Sequence, residues 1–253
     1  MLSGIEIIKQ SLAGRIKIIS PDGKQYKLYD PAAAEQDRID TNDPLMRKVN
    51  PNSVNLTLGN TVMVYKNVIP KGIAPWIEIK QSYSVLDWYE SPRLLNYIRD
   101  MLRPAHYMPN PRYALDSKKE NDTISSVIPP QGIIIRPGIL YLMKTHERTS
   151  TLEFAPMLEG CSGGGRLGIG THRTAGFGDN GFGATRDDGE EGNTWTLEID
   201  ANHPVRLYPY QKICQIAYHD ITGEHNLYNG SYKNQTGIIS SRMYKDINNQ
   251  ERY

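Results

Sequence analysis

LEGCSGGGRLGIGTHRTAGFGDNGFGATRDDGEEGNTWTLEIDANHPVRL, residues 158–207, holds 12 of the 22 glycines in this 253-residue chain. Its few non-glycine polar residues include types that do chemistry: Ser162, Arg166, His172, Thr174, Asp179 and Glu198. Glycines this dense admit positive backbone dihedrals and let a ligand approach main-chain N–H groups. A flexible linker would share that composition. A linker does not end in the alternation Thr194-Trp195-Thr196-Leu197-Glu198-Ile199, nor run on into Pro204-Val205-Arg206-Leu207-Tyr208. The stretch is therefore read as ordered loops that feed strands.

The same strand logic extends in both directions. Upstream, residues 133–135 and 139–143 are apolar strands around the tight turn Arg136-Pro137-Gly138. Val54, Leu56 and Leu58 alternate with polar residues, and residues 61–65 follow Gly59-Asn60, which predicts strand, turn, strand. Residues 15–20 and 26–29 are strands around Pro21-Asp22-Gly23, whereas residues 31–50 are aperiodic and read as loop. Downstream, residues 205–208 and 213–218 are strands, and the polar tail 228–253 closes the chain.

Two helices stand out. Ser3 and Glu6 have the spacing of a capping box, with Ile7, Ile8 and Leu12 behind them and Gly14 placed to stop the helix. Ser91-Pro92 opens an amphipathic helix to about residue 103, ended by Pro104. That helix sits in residues 66–126, a poorly periodic region read as an insertion on a β scaffold. Residues 184–191 form a shorter acidic insert, read as a solvated loop. Many short strands with turn signals, and no internal repeat, predict one mainly β domain over residues 1–253, a barrel or jelly roll.

Bulk composition narrows the function classes. Sixteen Tyr against three Phe, and a mean hydropathy of −0.54, describe a polar chain. No apolar run approaches the ~18 residues a membrane helix needs. The start, MLSGIEIIKQ, lacks the order of a secretion signal. Cys161 and Cys214 give no disulfide framework, so a reducing compartment, the cytoplasm, is expected. With a net charge of +1 and scattered basic residues, there is no electrostatic footprint for a nucleic-acid polymer. A single nucleotide needs only a few donors and stays open.

Several chemistries lack their motifs. Neither H-x-E with P-C-x-x-C nor H-E-x-x-H occurs, so no zinc site is expected, and His172 is read as a polar loop residue. Residues 160–166 lack the lysine and hydroxyl of a phosphate loop. No G-x-S-x-G elbow surrounds Ser162. Asp179 and Glu198 remain. Glu198 lies between Leu197 and Ile199, and a buried face would raise its pKa towards neutrality. An edge strand would instead leave it in solvent, and alternation alone does not choose.

Taken together, the motifs resemble a family. Gly160-x-Ser162-x-x-Gly165-Arg166-Leu167-Gly168, Thr171-His172-x-Thr174-Ala175-Gly176-Phe177-x-Asp179-x-Gly181-Phe182 and Thr196-Leu197-Glu198 resemble the dCTP deaminase branch of the dUTPase superfamily. Leu207-Tyr208-Pro209, Lys212-Ile213-x-Gln215, the tail Tyr232-Lys233-Asn234-Gln235-x-Gly237 and Asn52-Ser53-Val54-Asn55-Leu56 continue the likeness. The run Thr174-Ala175-Gly176-Phe177 is most similar to the dUMP-forming deaminases.

The resemblance implies a homotrimer of distorted jelly rolls with sites between subunits. It also implies a deoxynucleoside triphosphate, expected to be dCTP, with Mg²⁺ carried on the phosphates and no zinc. By matching position, Glu198 would shuttle protons while water attacks C4 of cytosine. Ser162 and a main-chain carbonyl near Thr174-Ala175 would orient that water, Arg166 would hold the site or the phosphates, and Asp179 would bind the sugar or activate water. Cys161, Gly163, Gly164, Gly165, Gly176, Phe177, Thr196, Leu197, Gln215, Tyr228, Tyr232 and Gln235 fall at substrate-contact positions. Departures are visible too: Cys161-Ser162-Gly163 replaces a basic residue and two serines, and Ser231 stands where a lysine is usual. Lys233, Arg173 or Arg186 is expected to compensate. Two rivals stay open: a dUTPase-like or modified-pyrimidine triphosphate hydrolase working through Asp179, and a non-catalytic homologue using residues 66–126 as a partner surface.

Overall fold

The computed structural model describes residues 1–33, 40–66, 114–184 and 186–250. The helix expected at about 91–103, and most of the 66–126 insertion, lie outside the described residues. The rest is mainly β. Among the described residues thirteen strands carry the fold: β1 Ile16–Ile19, β2 Lys27–Tyr29, β3 Met46–Lys48, β4 Val54–Tyr65, β5 Thr123–Val127, β6 Ile133–Ile135, β7 Tyr141–Thr145, β8 Arg148–Thr151, β9 Phe154–Gly160, β10 Ile169–Gly170, β11 Thr196–Ala201, β12 Val205–Leu207 and β13 Lys212–Asp220. Among the described residues they are accompanied by helices α1 Gly4–Leu12, α2 Ser162–Arg166 and α3 Met243–Gln250. None among the described residues is long and apolar enough to cross a membrane.

The main sheet runs β10-β11-β7-β4-β13-β9, with β5 added to the far end of β4, and its pairs are antiparallel. Strand alternation fills the core from one face. Val54, Leu56 and Leu58 of β4, Leu197 and Ile199 of β11, and Ile216 and Tyr218 of β13 are fully buried. Asn55, Thr57, Glu198 and Gln215 take the opposite face. Smaller pairs, β1 with β8 and β6 with β12, add Ile16, Ile18 and Ile135 to the same core. The two edges of the main sheet are brought together by residues 171–178. Gly178 N donates to Pro156 O on β9 (2.8 Å). Arg173 N donates to the Glu198 carboxylate on β11 (2.8 Å). Only glycine fits at 178, because a β-carbon there would run into the buried Trp195 ring.

Local expectations fare unevenly. The N-terminal helix forms, with the Ser3 hydroxyl accepting from Glu6 N (3.2 Å) and Gly14 at φ 76° just beyond its end. Such a cap contributes about 1 kcal/mol. Leu2 N donates to Tyr218 O (2.7 Å), so the helix is also anchored to β13. The turn expected at Gly59-Asn60 does not form. Residues 54–65 make one strand whose pairing with β7 shifts register between Leu58 and Val62, and Gly59 lets the Lys144 side chain pack against it. Residues 133–145 do turn at Pro137-Gly138, yet β6 leaves to pair with β12 while β7 joins the main sheet. The loop read over residues 31–50 contains β3, parallel to β2, and residues 123–127 are a strand. α3 was not expected, because its sequence MYKDINNQ carries no apolar stripe long enough to signal a helix.

Candidate active site

Glu198 sits in the middle of β11, paired opposite Leu142 of β7. Its neighbours Leu197 and Ile199 point into the core, so period-two alternation sends Glu198, with Thr196 and Asp200, to the other face. β7 pairs with β11 there, while β10 reaches only Asp200 and Ala201, so the other side of Glu198 is bordered by the segment that carries Arg173. Glu198 is half-buried. One carboxylate oxygen accepts from Arg173 N, and the other has no hydrogen bond among the described residues. The Arg173 guanidinium is itself held by Asp200, 2.7 Å away.

The C-terminal tail crosses this same face. The Gln235 amide nitrogen donates to Thr194 O (2.7 Å) and to the Thr196 hydroxyl (2.9 Å), which also accepts from Ile239 N (3.3 Å). Ser241 N donates to the Tyr65 hydroxyl, and Arg242 N to the Tyr232 hydroxyl, each at 2.9 Å. Tyr65 is buried at the end of β4. Burial raises its pKa, the Ser241 hydrogen bond opposes this, and the nearby Tyr232 and Glu198 add to the rise. Tyr65 therefore stands near the carboxylate although nothing in its sequence position singles it out. Only the register of three strands brings residues 65 and 198 to one face.

Asp179 is exposed and belongs to a second group. Phe182 N donates to its carbonyl (3.2 Å), the Phe182 ring meets Tyr228 edge-on at 5.7 Å, and Tyr228 N donates to Asn180 O (2.9 Å). Burial raises the Tyr228 pKa, and Asp179 adds a smaller upward push. The Tyr228 hydroxyl accepts from Tyr232 N (3.2 Å), which links this group to the tail over Glu198.

Ser162 and Arg166 form a third group, at the two ends of the single turn α2 that follows β9. Both are exposed, and Arg166 donates to Ser162 O at 3.1 Å. Cys161 is a free thiol before the turn, while Gly163 and Gly165 face open space and Gly164 lies against the Cys161 sulfur. Gln215 adjoins this group. It accepts from the Ser53 hydroxyl (3.0 Å) and donates to Gly160 O (3.4 Å). Thr174, Ala175 and Phe177 are exposed on the segment between the sheet edges, and Gly176 is buried. Within one chain, no hydrogen bond among the described residues joins Ser162 or Arg166 to Glu198. Leu197 points into the core and offers a ligand only its backbone.

The cations expected to replace the missing basic residues are already engaged. Lys233 pairs with Asp187 (2.7 Å), Arg173 with Asp200, and Arg186 with Asp188. The acidic insert is accordingly more than a solvated loop, for it grips the tail. No group of three His, Cys, Asp or Glu side chains that could hold a metal occurs among the described residues.

Comparison with known proteins matches the sequence to a family. The profile described as dCTP deaminase-like covers residues 27–221. The "dCTP deaminase, dUMP-forming" of Clostridium botulinum (strain Alaska E43 / Type E3) is 40% identical over 201 residues, 79% of this chain and 85% of the relative. That of Clostridium beijerinckii is 40% identical over 202 residues, 79% of this chain and 86% of the relative. Among solved structures, the 2'-deoxycytidine 5'-triphosphate deaminase of Agrobacterium tumefaciens aligns with 86% of this chain and 46% of that one, at TM-score 0.42 and 14% identity. The match spans the glycine-rich stretch, the strand bearing Glu198 and the strands that position them, and by it the chain belongs to the dCTP deaminase-like family.

Proposed function

We propose that this protein deaminates dCTP and carries the product on to dUMP. Water adds to C4 of cytosine, the C4–N4 bond breaks, ammonia leaves and a carbonyl remains. A second water at the α-phosphorus then releases pyrophosphate. The observation that supports this reading best is the state of Glu198. One oxygen is fixed by a backbone N–H while the other is left to take a proton from water and return it to the ring or the departing amine. A proton carrier so placed contributes roughly 10²–10⁴-fold. Ser162 hydrogen-bonds and orients the water, Arg166 donates to the phosphates, and Asp179 with Tyr228 borders the sugar. Mg²⁺ enters on the triphosphate, which suits a hard cation satisfied by phosphate oxygens and water.

Because no hydrogen bond among the described residues joins Ser162 to Glu198 within one chain, the working site is read as one between copies, in a homotrimer. The exposed Leu167 beside Arg166, 54% accessible, and Phe177, 62% accessible, fit surfaces that a second copy covers. Two free thiols suit a reducing compartment such as the cytoplasm.

The test assays ammonia and pyrophosphate from dCTP with Mg²⁺. Glu198→Gln, at a half-buried position, is expected to lose at least about 10²-fold in ammonia release with an unchanged circular dichroism spectrum. Ser162→Ala is expected to be similarly impaired, and co-refolding the two variants should restore part of the activity. Pyrophosphate without ammonia would assign the chemistry to Asp179 instead. Full activity of Glu198→Gln would end the deaminase reading.

A further inference from the structure

Outside the groups already described, a cleft of about 390 Å³ opens between β3, β4 and the turn before β13, lined by Arg47, Lys48, Asn55, Thr57, His146 and Tyr210. Its floor is the polar face of β4. Glu147, the carboxylate beneath it, is fully buried and already satisfied. It accepts from Thr57 N and the Thr57 hydroxyl, both at 2.8 Å, with Arg47 Nε 3.8 Å away. Arg47 stacks on the Tyr26 ring at 3.9 Å and donates from Nη1 to Pro44 O (3.1 Å) and Met46 O (3.2 Å), while its Nε is buried without a hydrogen-bond acceptor. Lys48 is exposed and has no ion pair among the described residues. Two cations thus face one compensated carboxylate, and a positive charge is left over.

The rim of the cleft is costly to hold. Tyr210 has φ 64°, a left-handed conformation that disfavours a tyrosine, and its ring meets His146 edge-on at 4.8 Å. Such strain persists where the surroundings over-determine it, and it clusters at ligand clamps. Here it fixes an aromatic wall in the cleft that Lys48 also lines. Asn55 in the floor is the register partner of Gln215, so the cleft continues along β4 from the third group of the candidate site.

We infer that this cleft is a polyphosphate subsite, in which Lys48 and Arg47 supply the positive charge missing at Cys161 and Ser231. The identification of the anion as polyphosphate rests on the proposed dCTP chemistry. The presence of an anion site rests on the cleft and its charge. Lys233, Arg173 and Arg186 each already face a carboxylate of this chain, so they offer less uncompensated positive charge than Lys48.

Calorimetry with inorganic tripolyphosphate on the full chain tests it. Lys48 is exposed, so Lys48→Ala is expected to fold normally and to bind tripolyphosphate about 10- to 100-fold more weakly, with Lys48→Arg retaining most affinity. Lys9→Ala, on α1 and outside the cleft lining, serves as control and should bind as the wild type does. Turnover of dCTP separates the two possible sources of the anion. If the cleft holds the substrate's own phosphates, Lys48→Ala raises KM at unchanged kcat and tripolyphosphate competes with dCTP. If it holds a separate polyphosphate, tripolyphosphate changes kcat without competing. Lys48-dependent binding in a protein that releases no ammonia would sustain the subsite and remove the deaminase reading. Absence of binding by the wild type, or equal binding and KM in Lys48→Ala, overturns the subsite whether or not dCTP is consumed.

Discussion

Tyr210 shows how much one residue can reveal. It alone among the described non-glycine residues has a positive φ, and that conformation costs an L-residue about 1–2 kcal/mol. Its ring is more than half exposed, so burial returns little of this. Tyr210→Gly is therefore expected to raise the unfolding free energy by about 1 kcal/mol in urea titrations, after the glycine's own entropic penalty. Glu198 makes the complementary point. Its identity and its place in an alternating strand are legible in the sequence, but which face is covered is not. That depends on Arg173 N and on a tail some 40 residues later, neither of which is local to β11. Tyr65 was not legible at all, since a tyrosine ending an alternating strand carries no mark of proximity to residue 198.

Among elements, the acidic insert and the tail form one clamp. The Arg186 side chain is almost fully buried and donates to Asp188, Gly192 O (3.1 Å), Asn193 (3.4 Å) and Gln235 O (3.4 Å). Asp187 adds Lys233 (2.7 Å) and Asn234 (2.8 Å), while Lys17 on β1 holds Glu191 and Arg148 on β8 holds Glu190. The exposed pairs contribute little individually, so the buried guanidinium dominates. Arg186→Ala is expected to cost about 2 kcal/mol and to release the tail, read as faster hydrogen exchange at Gln235, Ile239 and Ser241. Acid should loosen the same clamp. Hydrogen bonds from Lys233 and Asn234 hold the Asp187 pKa below its usual value, and the hydrogen bond from Arg186 does the same for Asp188. Their contribution is present above about pH 4 and fades as pH falls through the lowered values. Tail exchange should rise in that window before the far-ultraviolet spectrum changes.

For the whole molecule, the buried tyrosines set an alkaline limit. Burial pushes Tyr141 up to about 12, Tyr218 higher still, and Tyr26 upward as well. Groups whose folded pKa is raised contribute stability that is complete below about pH 10, the unfolded value, and is lost as pH climbs towards the folded ones. Phenolate absorbance should rise in two stages, the later one coinciding with loss of secondary structure. On the acid side, burial lowers the His146 pKa. The unfolded chain then binds the extra proton first, so stability falls as pH drops below about 6.5. His146→Gln should flatten that part of the melting-temperature profile.

Composition, alternation and capping by themselves determined a mainly β chain with an N-terminal helix, and the spaced motifs around Ser162, Asp179 and Glu198 determined its kinship. These are properties of neighbouring residues, set by side-chain period, φ restriction and local hydrogen bonding. Only the tertiary structure decided that Gly59-Asn60 continues a strand, that β6 and β7 part company, that the acidic insert seizes the tail, and that Arg47, Lys48 and Tyr210 share a cleft. Each of those depends on which strands lie side by side, and pairing between segments distant in sequence is chosen by the packing of the whole core, which no short window of sequence contains.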